Sequence, residues 1–166
     1  MRVLVLGSGA REHALAARLT AERDVSEVIC APGNPGISAI ARIVPADLSE
    51  VDALAALADR EQVDLTVVGP ELPLSLGIAD RFVSDHRLIF GPTSGAARLE
   101  SSKSFAKAFM ARHGVPTARF RTCDAIEEAL ECVRSGEFGF PVVIKADGLT
   151  VVGRGAIFRK RSPRPT

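Results

Sequence analysis

The chain has no tryptophan and no tyrosine, and eight phenylalanines are its whole aromatic allowance. Its core must therefore be aliphatic, drawn mostly from Val, Leu, Ile and Ala. No run approaches the ~20 apolar residues of a helical membrane span, which argues against an integral membrane protein. No basic-then-apolar leader precedes the first strand-like run, so the expected location is the cytoplasm. Cysteine is scarce too: Cys30, Cys123 and Cys132 are odd in number and lack metal-ligand spacing. That excludes a disulfide framework and a zinc site and leaves reduced thiols. His13, His86 and His113 have no metal-like spacing either, and no Ser/His/Asp or Cys/His nucleophile set is visible. Acidic residues are missing after Asp147, where Arg154, Arg159, Lys160, Arg161 and Arg164 stand. The formal net charge is +1, and without those five the body is mildly acidic. Such a body is no nucleic-acid surface, and five charges without aromatics are weak evidence for a nucleic-acid or membrane tail.

Glycine, by contrast, is placed at telling positions. In VLVLGSGAREHA (3–14), Val3 to Leu6 form an apolar run suited to a strand buried on both faces. Gly7, Ser8 and Gly9 break it, and a helical pattern resumes through Ala14, Leu15, Ala16 and Leu19. A turn of this kind brings backbone N–H groups and a helix N-terminus up to an anion. A dinucleotide fingerprint would need glycine where Glu12 stands and an acidic residue at the end of the second strand. That strand instead runs into Ala31-Pro32-Gly33-Asn34, so a nicotinamide cofactor is not expected. Arg11 suits a phosphate monoester and Glu12 a hydroxyl or an amine. A helix-start turn with a surface ion pair accounts for the same residues equally well.

Further along, the pattern predicts a strand at about 2–6, a helix at 11–22 and a strand at 27–30. The loop APGNPG (31–36) follows a strand end, and its Asn34 can both donate and accept hydrogen bonds. An ordinary connector would read the same way. Ile43 and Val44 suggest a short strand. Asp47 or Ser49 is placed to cap a helix through Val51, Leu54, Leu57 and Ala58. The strand DLTVV (64–68) ends in Gly69-Pro70-Glu71, which sets a carboxylate at the same sheet edge as the first glycine turn. Pro73 can open a helix through Leu76, Ile78 and Phe82. Leu88 to Phe90 reads as another strand. This alternation predicts an α/β fold, a doubly wound parallel sheet over residues 1 to about 92.

Beyond it, 94–99 reads as one or two helical turns and 101–114 as an amphipathic helix with Phe105, Ala108 and Phe109 on one side. A strand at 118–121, a helix at 125–134 capped by Asp124, and the apolar strand VVIK (142–145) follow. ADGLTVVGRG, after that strand, is suited to a turn over phosphates. Lys145 ends an apolar strand and needs a counter-charge, either Asp147 or a nucleotide phosphate. Lys103 follows a serine pair at a helix start. The glycines here do not make a Walker A loop, because Gly155 stands where that loop needs lysine then serine or threonine. A triphosphate would instead be held by lysines from separate elements, under Gly148, Gly153 and Gly155.

Together GSGAREHAL (7–15), APGNPG (31–36), VGPELPL (68–74), GPTSGAARLESSKSFAKAFMARHGVPTA (91–118) and PVVIKADGL (141–149) resemble the phosphoribosylamine–glycine ligase family. Five motifs in the family's order cover residues 1 to about 149. The resemblance implies a Rossmann-like pre-ATP-grasp domain over residues 1–100 and the truncated start of an ATP-grasp domain over 101–158. It implies a cytoplasmic, monomeric enzyme of purine biosynthesis that acts on 5-phosphoribosylamine, glycine and ATP, with Mg²⁺, and on neither nucleic acid nor membrane. Gly9, Arg11, Glu12, Asn34, Gly36 and Glu71 match the motifs of the phosphoribosylamine pocket. Lys103, Lys145, Asp147, Gly148, Gly153 and Gly155 match those around ATP.

Departures accompany the match. The family loop resembles KADGLAAGKGV, whereas this chain has KADGLTVVGRGAIF, one residue longer and with Arg154 where lysine is expected. The expectation is a truncated or frame-shifted chain, whose Mg²⁺ ligands would fall in a missing C-terminal part and whose residues 159–166 form a disordered basic tail. Such a chain would be inactive alone. The alternative is a non-catalytic module that binds phosphoribosyl compounds or nucleotides.

Overall fold

A computed structural model describes residues 1–148 and the backbone of 156–158. The chain forms two compact units, Met1–Ser101 and Ser102–Thr166.

In the first unit the strands are β1 (Arg2–Gly7), β2 (Glu27–Pro32), β3 (Arg42–Ile43), β4 (Leu65–Val68) and β5 (Ile89–Phe90). They make one parallel sheet in the order β3-β2-β1-β4-β5. Alternate residues of β1 enter different cores, as the period of two in a strand requires. Val3 and Val5 join Val28, Cys30 and Val67 beneath α1 (Ala10–Thr20), which contributes Ala16. Leu4 and Leu6 join Ile29 and Val68 beneath α2 (Val51–Arg60) and the later helices, with Leu54, Leu57, Ile78 and Phe82. All four of those β1 residues are 0% exposed, so both faces of the central strand are covered, as a parallel sheet needs. Burial pushes the Cys30 thiol up to about 11, the expected fate of an inert core cysteine.

Strand order decides where a ligand fits. After β3 the chain crosses back to lay β4 on the other side of β1, so the order reverses between β1 and β4. The crevice outside the carboxyl ends of those two strands is the usual binding place of such sheets.

Several expected details are corrected. Neither Asp47 nor Ser49 caps α2: Glu50 is the N-cap, and the Asp47 carboxylate accepts from the amide and hydroxyl of Ser49 instead. The helix expected from Pro73 to Phe82 is two helices, α3 (Glu71–Ser75) and α4 (Ile78–Ser84). Gly77 breaks them with φ at +86°, a conformation that only glycine takes without strain. Pro73 lies in the first turn of α3, where its missing N–H leaves no intrahelical bond unmade. Residues 94–101 form α5 (Ser94–Ser101), tied to α4 by the Ser94 amide, which donates to Asp80 at 2.7 Å.

In the second unit α6 (Lys103–Arg112) begins after Ser102, whose hydroxyl accepts from the Phe105 amide. Its buried residue is Ala106, whereas the expected Ala108 is exposed. No strand forms at 118–121, where the described structure offers no neighbouring strand to complete a ladder. Asp124 does not cap α7 (Ile126–Ser135): Ala125 is the N-cap, and the Asp124 amide donates to Glu128 at 3.2 Å. β6 (Val142–Ile144) pairs antiparallel with β7 (Ala156–Phe158).

Candidate substrate and phosphate sites

At the crevice of the first unit, three loops are tied into one edge. The Gly33 amide donates to the Gly7 carbonyl at 3.1 Å, and the Gly69 amide to the Leu6 carbonyl at 3.1 Å. The Asn34 side chain donates to the Ser8 carbonyl at 2.8 Å and accepts from the Ile37 amide at 2.9 Å. Asn34 thus joins the loop after β2 to the glycine turn after β1. Gly36 lies against His13, where a Cβ would stand 2.9 Å from the ring.

Glu12, the residue in place of a third glycine, is 4% exposed. Its Oε2 accepts from the Gly9 amide at 2.6 Å, so its carboxylate satisfies one orphan donor of the α1 N-terminus. The side chain is wrapped by glycines: a Cβ at Gly7 would stand 2.5 Å from its Cγ, and one at Gly69 would overlap its Oε1. Glu12 thus takes a backbone donor that a dinucleotide pyrophosphate uses at turns of this kind.

Arg11 points outward, its side chain 62% exposed, and pairs with Glu71 at 3.1 Å and more loosely with Glu12 at 3.8 Å. The Glu71 hydrogen bond raises the Arg11 pKa. The Glu71 carboxyl is held below its ordinary range by its own backbone amide and then by Arg11. Nearby Glu100, on α5, is raised by desolvation and then by the charge of Glu71. Gly9, Arg11, Glu12, Asn34, Gly36 and Glu71 all lie on loops or helix starts at this edge. Gly69, His13 and Glu100 complete it. Gly69 had a signal in the sequence, as a glycine directly after a strand, but nothing local marks Glu100.

The second unit holds the other group. The Asp147 carboxylate accepts from the Ser104 amide at 3.1 Å, from the Ser102 hydroxyl at 3.1 Å and from the Ser104 hydroxyl. Lys103 Nζ donates to the Gly148 carbonyl at 2.7 Å. Asp147 is therefore not the counter-charge of Lys145, which is exposed and has no hydrogen-bond or ion-pair partner among the described residues. Gly153, Gly155 and the tail lie outside the described residues.

The model of the phosphoribosylglycinamide synthetase N domain matches residues 1–100, and that of the same synthetase's ATP-grasp (A) domain matches residues 101–163. The chain belongs to the phosphoribosylglycinamide synthetase family. It is 53% identical over 159 residues to phosphoribosylamine–glycine ligase of Xanthomonas campestris pv. campestris, covering 95% of this chain and 36% of that protein. The crystal structure of phosphoribosylamine–glycine ligase from Thermotoga maritima superimposes with a TM-score of 0.72 at 33% identity, over 96% of this chain and 36% of that one. N5-carboxyaminoimidazole ribonucleotide synthetase from the same organism shares the fold at a TM-score of 0.69 and 19% identity, over 96% of this chain and 41% of that one. The chain thus spans about 36% of the length of the curated synthetase relatives it matches. Its glycine turn, its β4 loop and the crevice between them all fall within the synthetase N-domain match, and the Asp147 cluster falls within the ATP-grasp match.

Proposed function

We propose that this chain is the N-terminal part of a ligase that joins glycine to 5-phosphoribosylamine at the expense of ATP, giving glycinamide ribonucleotide, ADP and phosphate. In this reading the whole protein activates the glycine carboxylate as an acyl phosphate, which the amine of phosphoribosylamine then attacks. It works as a cytoplasmic monomer on small molecules. Catalysis rests on positioning and charge neutralisation more than on proton transfer.

The observation that carries the reading is the edge where Arg11 meets Glu71. An exposed guanidinium hydrogen-bonded to Glu71 and only loosely paired with Glu12 keeps further N–H donors for a phosphate, and charge-assisted bonds of this type are the strong ones. Asn34 and Gly36 shape the loop opposite, and Gly9 brings backbone close to the ligand. Lys145, exposed just after β6, and Lys103 fit the phosphates of ATP, with Gly148 beside them. The described residues include no group of three or more His, Cys, Asp or Glu placed to hold a metal ion. The described residues alone do not fit a resident Mg²⁺.

Glycinamide ribonucleotide is the stable probe for the first pocket. Calorimetry with the 166-residue chain should give binding, and Arg11→Ala should weaken it roughly tenfold to a hundredfold, the weight of a hydrogen bond to a charged group. Unchanged affinity in that variant would reject the assignment of Arg11. A non-catalytic phosphoribosyl-binding reading of the assayed polypeptide is favoured by its coverage of about 36% of the relatives. Binding without turnover is therefore the expected outcome for this chain, and steady ADP formation dependent on glycine and phosphoribosylamine would reject it.

A further inference from the structure

We infer that Asp147 is a positioning residue, not a nucleotide ligand: it clasps the start of α6 and thereby holds Lys103 and Lys145 at one loop root. The inference deepens the ATP reading above and rests on it for the purpose of the two lysines. The clasp itself rests on geometry alone. Both Asp147 oxygens are engaged, Oδ1 by the Ser104 amide at 3.1 Å and Oδ2 by the hydroxyls of Ser102, at 3.1 Å, and Ser104. These donors lie more than forty residues upstream, so the contact joins the first turn of α6 to the chain just after β6. A second bond lies beside it, from Lys103 Nζ to the carbonyl of Gly148.

A bare carboxylate next to a triphosphate would repel it. Here the charge is spent on a helix N-terminus and two hydroxyls, where it is favourable. The Ser104 hydroxyl and then the Ser104 amide hold the Asp147 carboxyl well below the ordinary carboxylate range, so it remains an acceptor at every working pH. With Asp147 anchored, the backbone from Lys145 to Gly148 has little freedom. The Gly148 carbonyl is thus presented to Lys103, while Lys145, two residues before the anchor, stays open to a ligand. The two lysines then differ in role. Lys103 is seated on the chain, and Lys145 is exposed.

Amine acetylation of the intact 166-residue chain, read lysine by lysine by mass spectrometry, tests this without any nucleotide. In the wild type Lys103 should react roughly tenfold more slowly than Lys145, because its ammonium is engaged. Asp147→Asn should bring Lys103 to within about twofold of Lys145, and Ser104→Ala should give the same change in smaller measure. Lys107 is the control: it is seated on Thr117 Oγ1 and the Ala118 carbonyl, one turn further along α6. Equal rates for Lys103 and Lys145 in the wild type, or no change in either variant, would overturn the clasp. If Lys107 rose in step with Lys103, Asp147 would merely be holding the helix together, which overturns the positioning role. ATP affinity is measured separately. A fall in Asp147→Asn that Ser104→Ala does not deepen supports the positioning role, and a fall that the two variants make additively overturns it. A wild-type chain that binds no ATP would reject the nucleotide reading and leave the labelling result to decide the clasp.

Discussion

Two carboxylates in this chain do at close range what a bound anion does elsewhere. Glu12 takes the Gly9 amide at the start of α1, and Asp147 takes the Ser104 amide at the start of α6. Glu12 is the more deeply buried, and its fit against glycine can be tested directly. Glu12→Ala leaves the Gly9 amide without its partner and should cost about 1.5–3 kcal/mol in urea unfolding, the range for hydrogen bonds to charged groups. Gly69→Ala drives a Cβ into the Glu12 carboxylate and should cost about 1–3 kcal/mol. In the double variant the overlap has gone with the side chain, so the two costs should fall short of their sum by about 1 kcal/mol or more. Strict additivity would show that Glu12 and Gly69 do not meet. At this scale the sequence was only half legible. That the turn departs from a dinucleotide fingerprint could be read from Glu12 in place of a glycine. That Glu12 also packs against Gly69 could not, because Gly69 is 57 residues away in the chain.

The elements differ sharply in what they bury. Phe82 of α4 is fully buried against the sheet, whereas α7 has no buried residue and Ile126 is 75% exposed. Phe82→Ala should therefore cost about 3–5 kcal/mol. Ile126→Ala should stay within about 0.5 kcal/mol, as surface substitutions do. A large loss at Ile126 would mean that α7 packs on something in solution. The junction of α4 and α5 carries a pH dependence. The Ser94 amide holds the Asp80 carboxyl below its ordinary range, so the folded pKa is depressed. Its contribution is full above the unfolded aspartate value of about 3.9 and is lost as pH falls through the lower folded value. The stability gap between wild type and Asp80→Asn should accordingly be present at pH 7 and narrow steadily below about pH 4. A gap independent of pH would reject the assignment. Helix boundaries were the weakest part of the sequence reading, since Asp47, Ser49 and Asp124 are all good capping types and none of them caps. Asp47 and Ser49 bond each other instead, the Asp124 amide donates to Glu128, and the packing of the helix chooses which residue ends outside its first turn.

Among the described residues, both clusters of core side chains lie within Met1–Ser101. Residues 1–101 expressed alone should therefore unfold cooperatively, with a midpoint close to that of the first transition of the full chain. A non-cooperative melt would show that the second unit is needed to complete the core. The alternation of apolar strands with helical periodicity, and the glycines that interrupt it, fixed the doubly wound α/β class and the strand-end loops from which a site could be made, because these are local properties of spacing and side-chain volume. The family motifs named the candidate residues. Strand order was a tertiary outcome: the crossing that puts β4 beside β1 creates the crevice and brings Arg11 to Glu71, a pairing across 60 positions that no periodicity encodes. So was the partner of Asp147. The sequence offered Lys145, two residues away, but the chain places the carboxylate on the start of α6, where two hydroxyls and a helix N-terminus together outweigh one exposed ammonium.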